Sequence, residues 1–165
     1  MPLNEFFLAE LEREARPTRK MLELVPLEKA DWAPHKKSMP LGRLATHIAE
    51  LTGWTTVTLD NNELDFAKMD YKPRIAASNA ELISIFEENL SKAEKSLKKA
   101  DDKVFEEDWT LRNGEQIYFT MPKIQVLRST CFNHLVHHRG QLSVYLRLLD
   151  IPLPGVYGPT ADEPM

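Results

Sequence analysis

Asn133-His134-Leu135-Val136-His137-His138-Arg139-Gly140-Gln141 places three of the chain's five histidines within five residues. The run sits in a longer segment that Pro122 opens and that extends to about Leu149. There Leu127, Cys131, His134, His138, Leu142 and Tyr145 recur every three or four residues, the period of one helix face. That period predicts a helix with His134 and His138 one turn apart on its inward stripe, so both rings can converge on one point. A helix with a stripe to bury needs facing helices, and the rest of the chain supplies them.

From about Leu3 to Val25, apolar residues Phe7, Leu11, Ala15, Leu22 and Val25 mark a first helix, which Pro17 is expected to kink or split. After a loop holding Pro34, in which Trp32 is expected to fold back onto the helices, a second helix runs from Pro40 to roughly Asp60. Its apolar face holds Leu41, Leu44, Ile48, Leu51 and Trp54, with His47 among them. Ser78-Asn79-Ala80-Glu81 is a capping box that starts a third helix through Leu82, Phe86, Leu90, Ala93, Leu97 and Ala100. Between Trp109 and Phe119 the pattern turns strand-like around Asn113-Gly114, which predicts a small hairpin. The proline-rich tail from Ile151 is expected to drape over the helices. The reading is one domain over residues 1–165, all-α, a four-helix bundle with a small β-hairpin inserted before the last helix.

Composition narrows the function classes. A net charge of −4 argues against a dedicated nucleic-acid binder, and no apolar run is long enough for a membrane span. The single cysteine, Cys131, rules out an internal disulfide and fits a reducing compartment. With no signal-peptide pattern at the start, the expected location is cytoplasmic.

Two imidazoles on one rigid helix are most of a transition-metal site. His47, inward on the second helix, would make a third neutral nitrogen ligand and leave a coordination position open, the mark of a catalytic site. A buried histidine is equally at home hydrogen-bonded in a core, and periodicity alone leaves both readings standing. His137 reads as a bystander or an interface residue, and His35 as an exposed loop residue.

Two longer stretches carry a resemblance. Asp31-Trp32-Ala33-Pro34-His35 through Met39-Pro40-Leu41-Gly42-Arg43-Leu44-Ala45-Thr46-His47-Ile48-Ala49-Glu50-Leu51 resembles the front half of the DinB/YfiT-like proteins. Asn133 through Gln141, with Tyr145-Leu146-Arg147 and the tail Tyr157-Gly158-Pro159-Thr160-Ala161-Asp162-Glu163, resembles that family's closing motif. The resemblance implies a four-helix bundle with a divalent metal on three histidines, roles that carry onto His47, His134 and His138. It also implies a homodimer and, by analogy with thiol-dependent S-transferases of the family, a low-molecular-weight thiol as cosubstrate.

A divalent ion on neutral ligands keeps its full charge and lowers the pKa of a bound thiol or water. The leading expectation is therefore a thiol S-transferase acting on a small electrophile. The alternatives are a metal-dependent hydrolase and a non-catalytic, metal-stabilised, stress-related bundle. Zinc or nickel is the expected metal, with iron as a further option. Gln141 and Glu50 are candidates to support the ligands from behind, though capping and surface roles suit them equally. Arg139 and Arg147 are candidates to attract an acidic thiol. Cys131, on the apolar stripe, reads as a small buried residue rather than a nucleophile.

Overall fold

The computed structural model describes residues 1–70 and 72–164. It is mostly helical, with a small three-stranded sheet. Helix α1 (Leu3–Glu23) buries Phe7, Leu11, Glu14, Ala15, Thr18, Met21 and Leu22 along one face. Pro17 does not split it. The missing N–H costs about 3 kcal/mol in a helix interior, but this helix is held by the burial of a long face, and packing of that kind outweighs local propensity.

The second helix is not continuous. It forms as α2 (Leu41–Leu51) and α3 (Gly53–Asp60), parted at Thr52. Asn89 sits at the break: its side-chain amide donates to the Ala49 carbonyl at 3.2 Å, the oxygen that the Gly53 N–H would take in an unbroken helix. A Cβ on Gly53 would stand 2.8 Å from the Asn89 side chain, so the close approach needs glycine there.

Helix α4 (Asn79–Lys99) begins as expected, with Ser78 Oγ accepting from the Glu81 N–H. The Glu81 carboxylate reaches back to the Ala77 N–H at 2.7 Å. The hairpin is also present, as β2 (Asp108–Asn113) and β3 (Gln116–Pro122), antiparallel, with Gly114 at φ 58° in the turn. A third strand corrects the simple-hairpin expectation: β1 (Glu63–Asp65) lies parallel to β2, giving the order β1-β2-β3. Asp65 anchors it by accepting from the N–H groups of Gly114 and Ala67 at 2.9 and 3.0 Å. Three residues are too few to show a strand period.

The last helical stretch has three parts: α5 (Lys123–Val126), a π-helical segment from Leu127 to Asn133, and α6 (His134–Leu148). A π segment has a wider turn, so the helix after it is rotated relative to the helix before it. The inward residues of α6 are consequently Leu135, Arg139, Leu142, Tyr145 and Leu146. His134 and His138 lie half-buried at the edge of that face, not at its centre as expected.

The long helices close on one another: α1 against α4 and α6, and α2 against α4 and α6. The tail runs without regular structure back over the helices. Asp162 pairs with Arg147 and accepts from the Leu153 N–H, and Glu163 accepts from the Gly155 N–H. Trp32 packs against this core with its ring edge-on to Tyr145, as expected. Among the described residues no helix is long and apolar enough to cross a membrane.

Candidate metal centre

Because α2 packs on α6, His47 faces the first turn of α6. Its Nε2 lies 3.4 Å from His134 Nε2, which in turn lies 2.8 Å from His138 Nε2. One nitrogen from each of the three rings falls within 4.8 Å of the others. The outer nitrogens are tied down separately. His138 Nδ1 donates to Gln141 Oε1 at 2.6 Å, and His134 Nδ1 donates to the Thr130 carbonyl at 3.3 Å, inside the π segment.

These outer bonds decide the tautomers. A neutral imidazole that donates from Nδ1 has a bare lone pair on Nε2. His134 and His138 therefore aim two lone pairs at each other across 2.8 Å, with His47 beside them. Positive charge does not relieve the contact by simple protonation, because burial makes it costly. Burial, followed by His138, His134 and Arg43, pushes His47 down to about 4. Burial likewise lowers His134 and His138, so the rings stand neutral at pH 7. Metal–nitrogen bonds of about 2.0–2.1 Å put neighbouring ligand nitrogens roughly 3 Å apart. The donor type, its charge state and its spacing all fit a divalent transition metal.

The other expected residues divide. Gln141 sits behind His138 and accepts from its Nδ1. Glu50 is engaged by Arg43 at 3.1 Å and lies 3.8 Å from Arg74. Arg139 is corrected, since it does not lie open for an acidic ligand, whereas Arg147 is exposed but already engaged by an acidic partner. Arg139 is buried and bonded to Glu14, Thr18 and Tyr157, while Arg147 pairs with Asp162. The cation near the trio is Arg43, one turn before His47 on the same helix face, where its charge acts on both His47 and His138. The i,i+4 spacing was visible in the sequence.

Cys131 is buried, and burial pushes its thiol up to about 11, so it holds its proton at neutral pH. His137 is exposed, its ring 4.9 Å from that of His138 and outside the converging trio. His35 lies in its loop, accepting from the Lys37 N–H. No signal in the sequence marks Thr130, whose carbonyl contributes only because the π segment presents it.

Comparison with known proteins agrees with this architecture. The family model described as the DinB family matches residues 1–164. Uncharacterized protein YrdA of Bacillus subtilis (strain 168) is 29% identical over 166 residues, covering 96% of this chain and 90% of that protein. A solved structure of a DinB-like protein from Bacillus cereus ATCC 10987 superposes with a TM-score of 0.69 at 25% identity, covering 93% of this chain and 97% of its own. A second DinB-like protein, from Bacillus subtilis, has a TM-score of 0.70 at 16% identity, covers 90% and 96%, and speaks for the fold alone.

Proposed function

The chain belongs to the DinB family, and on that premise we propose that His47, His134 and His138 hold a divalent metal ion in a metal-dependent enzyme. The helices α1, α2, α4 and α6 form its four-helix bundle, and the ligands come from two that face each other. The observation that carries the reading is the convergence of three Nε2 atoms, two of them 2.8 Å apart, with the outer nitrogens of His134 and His138 already committed.

A divalent ion there would supply a Lewis acid that favours the anion of a thiol or of water. The chain's own residues do the rest. Gln141 and the Thr130 carbonyl hold two rings in the tautomer that leaves Nε2 free, and such partners raise ligand basicity. Arg43, held by Glu50, stands one turn before His47 beside the trio. The family's thiol-dependent S-transferases favour thiol transfer to a small electrophile as the leading reading, with hydrolysis as the alternative. The reading takes a small molecule as the partner and keeps the expected homodimer, which light scattering measures directly.

Elemental analysis of untagged protein is the first test, beside His47→Ala, His134→Ala and His138→Ala. One divalent ion per chain is expected in the wild type and far less in each variant. A wild type that binds no stoichiometric ion on titration ends the proposal. Turnover of small electrophiles that requires added thiol supports transfer, whereas turnover indifferent to thiol assigns hydrolysis instead.

A further inference from the structure

A cleft of about 470 Å³ lies between α1 and the C-terminal tail, away from the histidines. Its volume falls in the range of small-molecule sites, about 300–1,000 Å³. One wall is α1, carrying Arg13, Arg16 and Lys20. These positions succeed one another at three and four residues, so the cations share a face and span roughly 10 Å of helix. The opposite wall is the tail at Gly155, Val156 and Tyr157.

In a chain of net charge −4, Arg13, Arg16 and Lys20 gather positive charge along one wall of the cleft. Three carboxylates stand near it: Glu12 lines the cleft, Glu14 Oε1 lies 3.5 Å from Arg13, and Glu163 is tied to the Gly155 N–H on the tail wall. Glu14, however, is buried and already accepts from Arg139 and Tyr157 on its other oxygen. Arg16 and Lys20 make no ion pair among the described residues and stand exposed. Like charges set side by side along a helix repel, so the arrangement is relieved by an external anion.

The tail wall is fixed in advance. The Tyr157 hydroxyl is bonded inward to Glu14 and Arg139, both at 2.7 Å, while most of the residue is exposed beside the cleft. The Glu163 carboxylate holds the Gly155 N–H at 2.8 Å. A Cβ on Gly155 would meet the Gly158 carbonyl oxygen at 2.8 Å, so this turn closes only around glycine. A preformed wall opposite spaced cations loses little freedom on binding.

We propose that this cleft binds a small polyanion, a molecule with at least two phosphate or carboxylate groups spread along the α1 face. The experiment is isothermal titration of the full chain with inorganic pyrophosphate. Expected are saturable one-to-one binding, weakening with added salt, and an affinity at least tenfold lower in the R16Q/K20Q variant, whose exposed positions leave the fold intact. The His134→Ala/His138→Ala variant, lacking two of the trio's nitrogens, is expected to bind as the wild type does. Absence of saturable binding overturns the proposal, as does an unchanged affinity in R16Q/K20Q. Loss of binding in the histidine variant also overturns it, because the anion then sits at the trio.

Discussion

His138 and Arg139 are neighbours in sequence, yet they serve opposite sides of α6 and opposite kinds of polar chemistry. On the α2 side, three neutral rings bring their Nε2 atoms together, and those of His134 and His138 face each other at 2.8 Å with no proton between them. On the α1 side, Arg139 and Glu14, each with 3% of its side chain exposed, satisfy each other. Arg139 donates to the Glu14 carboxylate at 2.6 Å, to the Glu14 carbonyl at 3.1 Å and to Thr18 at 3.0 Å, and Tyr157 closes the ring. The first cluster leaves the bare nitrogens of His134 and His138 facing each other. The second satisfies its charges from within the chain. A polar group buried in a folded chain must find partners, and where partners are missing by construction the gap points to a ligand.

The contrast can be broken most directly at its ligands. His134→Ala is expected to abolish stoichiometric metal binding, read by elemental analysis, with the helical circular dichroism unchanged. If metal content stays at the wild-type level, the trio is not the site.

Next in size is Arg139→Ala, which leaves the Glu14 carboxylate buried without its cation. Breaking one side of a buried ion pair costs about 3–5 kcal/mol, so a large fall in denaturant midpoint is expected. A change within about 0.5 kcal/mol would show that the pair carries no such weight.

Gln141→Leu sharpens the comparison from the metal side. Removing the group behind a ligating histidine typically weakens metal affinity about 10–100-fold, and competition with a chelator measures it. Equal affinity in this variant would demote Gln141 to a packing role.

The smallest effect belongs to acid. Burial is the largest influence on Glu14 and raises its pKa, but the hydrogen bonds from Tyr157 and Arg139 and the nearby arginine charge together lower it. A carboxyl held below its ordinary value contributes stability that is present above about pH 4.5 and is lost as pH falls through the folded-state value. The fall of melting temperature below about pH 4.5 should therefore be steep in the wild type, and this limb should flatten in Glu14→Gln. Parallel acid profiles for the two proteins would remove Glu14 from the account.

Much of this was legible because it is periodic or local. Leu82, Phe86, Leu90, Ala93 and Leu97 mark α4 by spacing alone, and Ser78 with Glu81 marks its start, since a cap depends only on residues within one turn. His134 and His138 share a face for the same reason. His47 was readable as inward from its neighbours Leu44, Ile48 and Leu51, though its joining the other two rested on the resemblance. What escaped depends on residues far apart in the chain. The break at Thr52 answers to Asn89, and strand β1 answers to Gly114.

Arg139 shows the limit most clearly. An arginine among His137, His138 and Gln141 reads as a solvent-facing charge, because a charge is almost never buried alone. Only the π segment, which turns α6 so that Leu135, Arg139, Leu142 and Leu146 face inward, and Glu14, 125 residues away, make burial tolerable.

By itself, then, the sequence determined the course of α4, the hairpin turn and the shared face of His134 and His138, since each depends on spacing within a few residues, while the place of His47 beside them rested on the resemblance. Tertiary structure alone decided which nitrogen of His134 and His138 is bare, which cation stands beside the trio, and which arginine is locked away. Those outcomes depend on distances between separate elements, and hydrogen bonds and charges act through space, not along the chain.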